Sequence, residues 1–250
     1  MSHNSTRIIK TCFALLFFLI FNCSAFEKPI LHCVADEWKG YTNADGSGTY
    51  WQIIRSIYAD KYQLKLQTTP FHRAIKLVTT GKADCIVAIY TKDKRNLLVP
   101  KYHLDTEYPA NLLFDKTRHN IKSKDDLDNL DNLVIVGLKD YGLEHFLPNP
   151  LNLYGVDSHK KMNELIMNSR VDAAIVYTHN IRLVDPTGKL NQIEIIPDKK
   201  YYLGFYPSEL GSELVKQYDS KLPKLILDGT IKNSFADDLD YQHANFVIIE

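Results

Sequence analysis

QLKLQTTPFHRAIKLVTTGKADCIVAIY, residues 63–90, places a strand, a helix and a second strand in direct succession. Leu64 and Leu66 alternate with polar residues, the two-residue period of a half-buried strand. Pro70 takes the favoured first-turn position of a helix. Phe71, Ala74, Ile75 and Val78 then form an apolar stripe at helical spacing, and Gly81 supplies a C-terminal cap. Asp84 introduces the apolar run Cys85 to Tyr90, another strand. Upstream, Ile30 to Ala35 reads as a short buried strand ending at Asp36. A loop follows from Glu37 to Thr49, with Asp45-Gly46 as its turn signal. Tyr50, Ile54, Ile57 and Tyr58 recur at helical spacing. Strand, helix, strand, helix, strand is the alternation that builds an α/β unit round a parallel sheet.

Downstream the alternation repeats once. Leu112 to Phe114 is strand-like, and Ser123 to Leu130 is a short helix with an acidic first turn. Leu133 to Leu138 is an apolar strand. Ser158 is a helix N-cap, with Met162, Leu165 and Ile166 as the buried face behind it. Ala173 to Tyr177 is another buried strand. Tyr201 to Tyr206 reads as a strand, Ser208 to Leu227 as a helix closed by Gly229, and Ile231 to Phe235 as a short helix. Residues 245–250 form an apolar tail. The chain therefore divides into two lobes. The first comprises 27–106 plus 200–250, the second 107–199, with crossovers near Asp105–Pro109 and Pro197–Tyr201.

The first 25 residues set the compartment. Arg7 and Lys10 form a basic start, Cys12 to Phe21 is unbroken apolar sequence, and Asn22-Cys23-Ser24-Ala25 is a small-residue exit. This is the pattern of a secretory signal peptide over 1–25, and it implies a periplasmic protein. The run is too short for a membrane-spanning helix, which needs roughly 20 apolar residues. Phe21 and Asn22 are too large to precede a lipidated Cys23, which argues against a lipoprotein. The whole chain carries 30 Lys+Arg and 30 Asp+Glu. Loss of Arg7 and Lys10 leaves 28 against 30, a balance that gives no electrostatic case for nucleic acid.

Removal of the leader also leaves two cysteines, Cys33 and Cys85. In an oxidising compartment they are a disulfide candidate; the alternative is two buried thiols acting as small hydrophobes. The sequence has no metal-ligating histidine pair on a helix and no Gly-x-Ser-x-Gly motif. The expectation is a binding protein without cofactor, metal or catalysis.

Several stretches resemble the family 3 extracellular solute-binding proteins, whose members serve amino-acid ABC importers. They include Leu31-His32-Cys33-Val34-Ala35-Asp36, Pro70-Phe71-His72-Arg73-Ala74, Gly81-Lys82-Ala83-Asp84 and Thr91-Lys92-Asp93-Lys94-Arg95. Val136-Gly137-Leu138, Ser169-Arg170-Val171-Asp172-Ala173-Ala174-Ile175 and Leu225-Ile226-Leu227-Asp228-Gly229-Thr230-Ile231 continue the match in order along the mature chain. The resemblance implies the two-lobed periplasmic-binding-protein fold, two parallel or mixed sheets flanked by helices and joined by two crossover strands. It implies a small-molecule ligand in the cleft, a monomer, and an ABC permease or a membrane sensor as partner. It also makes the first and third strands of the first lobe neighbours, which brings Cys33 and Cys85 to one level. Two alternatives stay open: a sensor component that presents its ligand without a transporter, and a dehydratase-like enzyme, because fold does not fix function.

The resemblance also implies site residues. Arg95 matches the family arginine that clamps the ligand's carboxylate, a task suited to a guanidinium fork; the alternative is a solvated surface arginine. Asp36 matches an acidic loop position that meets the ligand, or it caps a strand end. Trp38 and Tyr41 follow it and can stack on a ligand or line the rim. Tyr90 and Thr91 lie just before the arginine. Arg73 belongs to a Pro-aromatic-x-Arg-Ala pattern and faces either the cleft or solvent. Tyr141 and Gly142 occupy the place of the family's second-lobe donors, with Ser158 at a helix start beyond them. Tyr177 stands where amino-acid binders carry an acidic residue for the α-ammonium group. A neutral tyrosine there argues against a standard α-amino acid and leaves other polar or anionic ligands open.

Overall fold

The computed structural model describes residues 27–91, 96–129, 133–139, 143 and 152–248. In chain order the first half contains β1 (Ile30–Ala35), α1 (Thr49–Tyr58), β2 (Gln63–Thr68), α2 (Phe71–Thr79), β3 (Cys85–Ile89), β4 (Asp105–Glu107) and β5 (Ala110–Phe114). A 3-10 turn at Lys124–Asn129 precedes β6 (Val134–Leu138), β7 (Asn152–Val156), α3 (His159–Met167) and β8 (Ala173–Tyr177). Then follow α4 (Ile181–Val184), β9 (Asn191–Ile196), β10 (Lys199–Phe205), α5 (Glu209–Leu227) and α6 (Asp238–His243).

These strands form two five-stranded sheets, ordered β2-β1-β3-β10-β4 and β7-β6-β8-β5-β9. Both are mixed. β1 runs parallel to β2 and β3, while β10 is antiparallel to β3 and β4. In the second sheet β6 is parallel to β7 and β8, and β5 is antiparallel to β8 and β9. Two short passages connect the sheets: β4 to β5 through Tyr108-Pro109, and β9 to β10 through Pro197-Asp198. Each passage contains a proline, which cannot donate to a strand ladder and so ends one sheet before the other begins.

The packing follows from side-chain alternation along the strands. On β5 and β8, Leu112 and Ile175 face one apolar layer with Ile135 and Ile195. Leu113, Ala174 and Val176 face the opposite layer with Met162 and Leu165 of α3. The first sheet is likewise covered on both sides. Ala74, Ile75 and Val78 of α2 pack against Val34 and Ile86. On the other side, Trp51, Ile54 and Tyr58 of α1 meet Cys33 and Cys85, together with Leu214, Tyr218, Ile231, Phe235 and Ala244. The C-terminal segment therefore returns to the first sheet, which periodicity alone left open.

Local chemistry sets the element ends. Pro70 is the residue before α2, which begins at Phe71 rather than at the proline. At its other end Gly81 donates to Val78 and Lys82 donates to Leu77, the paired bonds of a Schellman cap, with Gly81 at φ +69°. Strands β4, β7 and β9 and helices α4 and α6 have no counterpart in the sequence reading. β4 spans three residues, β7 exposes Tyr154, and β9 has only its last two residues buried, so none shows a full apolar period. On β3 the register against β10 slips between Ile86 and Ile89, and Ala88 takes φ +60° there. This bulge re-aims the strand end that leads to Tyr90.

Candidate functional site

The expected site residues fall into three groups. Arg95, Tyr141 and Gly142 lie outside the described residues, as does the leader. Thr91 and Arg73 are exposed at the ends of elements, and Arg73 makes no side-chain hydrogen bond or ion pair among the described residues. Ser158 is the N-cap of α3; its hydroxyl accepts the Lys161 N–H at 3.3 Å. In the third group, Trp38, Tyr41 and Tyr90 pack against the core of the first sheet with Asp36 beside them, and Tyr177 packs against the core of the second.

The loop after β1 is held by its own polar groups. Thr42 Oγ1 donates to the Asp36 carbonyl at 2.7 Å and accepts the Trp38 N–H at 3.1 Å. Asp36 Oδ1 accepts the neighbouring Glu37 N–H. This positions the aromatic rings. Trp38 lies 5.5 Å from Tyr201 and meets Tyr50 edge-on at 6.3 Å, and Tyr41 lies 4.9 Å from Tyr50. Tyr201 in turn lies 5.2 Å from Tyr90. Ala35, Asp36, Trp38, Thr42, Phe71, Val87 and Ala88 enclose a small apolar gap, too narrow for a water molecule, at the ends of β1 and β3.

Glu107 joins this wall to the second lobe. Its Oε2 accepts the Tyr90 hydroxyl at 2.7 Å, and its Oε1 accepts the Tyr177 hydroxyl at 2.6 Å. Tyr90 follows β3 of the first sheet, Tyr177 ends β8 of the second, and Glu107 ends β4, the strand that leads from one to the other. Lys199, the register partner of Glu107 on β10, holds its ammonium 5.7 Å from the centre of the Tyr90 ring.

Asp105 lies on the same side of β4, two residues earlier. Its carboxyl accepts the Tyr50 hydroxyl at 2.8 Å and the Thr106 N–H at 2.7 Å. Burial pushes its pKa up to about 7, against the lowering effect of those two donors. Burial likewise raises the Tyr41, Tyr50 and Tyr201 hydroxyls, with the Asp105 charge adding at Tyr41 and Tyr50 and Glu107 at Tyr201. Those phenols therefore act as donors, not as anions.

Tyr108 marks the first crossover. Its hydroxyl donates to Asp240 Oδ1 at 2.8 Å. Its ring stacks on His243 of α6 at 3.6 Å and lies 4.3 Å from His179, just beyond β8. Burial lowers the His179 pKa, which keeps that imidazole neutral. A second depression, lined by Ile181, Asp185, Thr187 and Leu190, sits on α4 and β9, away from this cluster.

The sequence reading passed over Glu107, Asp105, Tyr50, Tyr201 and Tyr108. One signal was present: Asp105 and Glu107 are two acids at strand spacing inside the aromatic stretch Tyr102–Tyr108. Their burial, 6% and 9% exposed, depends on β10 and α1 arriving from distant parts of the chain. Among the described residues no group of three metal-ligating side chains occurs, and no helix is long and apolar enough to cross a membrane.

The fold is that of the two-lobed periplasmic binding proteins. The chain is similar to Tv2483, solved bound to L-arginine, with a TM-score of 0.59 at 16% identity over 87% of this chain and 93% of that one. A substrate-binding protein of an ABC uptake transporter from Streptococcus pneumoniae, solved with bound histidine, gives a TM-score of 0.55 at 14% identity over 82% and 90%. The ancestral amino acid-binding protein AncCDT-1, a precursor of cyclohexadienyl dehydratase, gives 0.56 at 16% identity over 82% and 93%. At these identities the likeness is one of fold. No protein-family model matches the chain, and no curated protein matches it.

Proposed function

We propose that this chain is a periplasmic solute-binding protein of the family 3 type, which closes two lobes round a small polar ligand and passes it to an ABC importer without catalysis. The observation that carries the reading is the convergence on Glu107 of a tyrosine from each lobe, at the C-terminal ends of β3 and β8. In open α/β sheets that end is where loops and helix starts gather and where ligands bind. The secretory pattern of residues 1–25 supports the compartment. Arg95 is the proposed clamp for an anionic group, and Asp36, Trp38 and Tyr41 form the first-lobe wall. An amino acid or a related organic acid fits this set, in keeping with neighbours solved with arginine and histidine.

Native mass spectrometry of freshly purified protein is the direct test. A bound small molecule recovered unchanged after prolonged incubation supports a non-catalytic binder. A molecule that the protein converts at a steady rate refutes that part of the reading and favours an enzyme on this fold.

A further inference from the structure

The rings at the first crossover are arranged for neutral imidazoles. Tyr108, between β4 and β5, touches a histidine from each lobe. His243 ends α6 in the tail that packs on the first sheet, and its ring stacks on Tyr108 at 3.6 Å and 3°. His179 lies just beyond β8 of the second sheet and meets the same ring at 4.3 Å. An imidazolium must donate through both ring nitrogens. Here neither Nε2 has an acceptor. His179 Nε2 accepts the Asn180 side-chain N–H at 2.9 Å, so its lone pair is in use. His243 Nε2 is buried with no hydrogen-bond partner among the described residues. A proton on the first displaces an existing bond, and a charged N–H on the second is buried and unpaired, which costs more than a neutral one.

We propose that His179, Tyr108 and His243 form a proton-sensitive clasp between the two lobes, closed while both imidazoles are neutral and released when they are protonated. This goes beyond the solute-binding reading and takes from it only that the lobes move. The charged and titratable groups facing the pair set the direction. Partial burial lowers the His179 pKa from the ordinary 6.5 and is the largest influence; Asp240 opposes it, and the like charges of His243 and of His159 at the start of α3 reinforce it. Asp240, three residues before His243 on α6, also accepts the Tyr108 hydroxyl. Asp105 and Tyr41 act on Tyr108, Asp237 acts on Tyr41, and the Tyr177 ring lies 6.0 Å from His179. A base whose pKa is lowered in the clasp favours the clasp fully above its ordinary value, and that contribution is lost as pH falls. His179 is open to solvent in part, so protons reach the clasp without unfolding.

The test needs no ligand. Wild type and the double variant His179→Phe, His243→Phe are compared from pH 8 down to pH 5, the range in which histidine titrates. The variant keeps flat rings for stacking and takes up no proton, while Asp105 remains to titrate in both. Small-angle scattering reads the separation of the lobes. Proton magnetic resonance reads the stack through the Tyr108 ring signals, assigned by their loss in Tyr108→Phe and shielded by the imidazole above them. In wild type the radius of gyration should rise and the Tyr108 signals should lose their shielding together as pH falls. Both changes should vanish in the double variant. A wild-type radius that stays constant over the range overturns the proposal, even where the Tyr108 signals move, because the rings then titrate without parting the lobes. An equal rise in the double variant overturns it too and assigns the opening to another group. If the double variant does not fold, His179→Phe alone, at the solvent-facing ring, should weaken the response, and an unweakened response counts against the clasp. A chain that binds no solute refutes the solute-binding reading and leaves this measurement unaffected.

Discussion

At the scale of single residues, two arginine and carboxylate positions carry separable consequences. If Arg95 clamps an anionic group, Arg95→Ala leaves the fold nearly intact and lowers affinity about 30-fold to several-thousand-fold, corresponding to roughly 2–5 kcal/mol. Lysine rescues poorly, because it lacks the planar fork. Calorimetry with the ligand identified by mass spectrometry reads both, and unchanged affinity in Arg95→Ala leaves it a surface arginine. Asp105 governs stability against pH. Its folded pKa of about 7 lies above the ordinary 3.8, so the folded state holds the proton more tightly than the unfolded chain. The favourable contribution is complete below about pH 4 and is lost as pH rises through about 7. Asp105→Asn removes this dependence. Melting temperatures of variant and wild type should diverge in the variant's favour between pH 4 and pH 8. A constant difference over that window would mean that Asp105 is ionised throughout.

At the scale of elements, β1 and β3 are linked covalently. Cys33 lies directly opposite Cys85 in the parallel register, and the pair forms a disulfide with a Cα–Cα distance of 4.6 Å. The bond closes a separation of 52 residues that contains α1, β2 and α2. Restricting such a loop in the unfolded chain is worth about 2–4 kcal/mol. Protein from an oxidising compartment should show no free thiol when unfolded without reductant. The Cys33→Ala, Cys85→Ala double variant should unfold at lower urea concentration, with its unfolding free energy reduced by that margin. Detection of two thiols per chain in the unreduced protein would count against the bond. The adjacency of the two strands followed from the family resemblance; the facing register depended on where β1 begins and where α2 releases the chain at Gly81.

At the scale of the whole molecule, two proline-containing passages join the sheets, and both lie beside the aromatic and acidic cluster. Tyr108 sits between His179 of one lobe and His243 of the tail that packs on the other, while Glu107 reaches a tyrosine from each sheet. On the solute-binding reading proposed above, lobes connected in this way would move as rigid bodies about the two passages, and a ligand touching both would shift the balance toward closure. Small-angle scattering should give a smaller radius of gyration with a saturating ligand than without it. Removal of both hydroxyls, Tyr90→Phe with Tyr177→Phe, should reduce that difference between the two states. Identical curves with and without ligand would rule out hinge closure.

The sequence by itself determined the elements with strong periods and clear punctuation. β1, α1, β2, α2 and β3 were legible because apolar residues recur at strand or helix spacing, and because Pro70, Gly81 and Asp84 mark the joins. The same held for β6, α3, β8 and α5, and for the choice of Tyr90 and Tyr177 as strand-end residues. The three-residue β4, the half-exposed β7 and β9 and the return of the C-terminal segment were decided only by tertiary structure. Such segments have too few alternating positions to state a period, and they become strands or packed turns when a neighbour supplies hydrogen bonds. The placement of Glu107 between the two sheets belongs to this second group. In the chain Glu107 is one glutamate among 30 acidic residues. Its burial and its two tyrosine partners arise when residues 17 positions before it and 70 after it meet on β4, a coincidence of sheet order that no local pattern encodes.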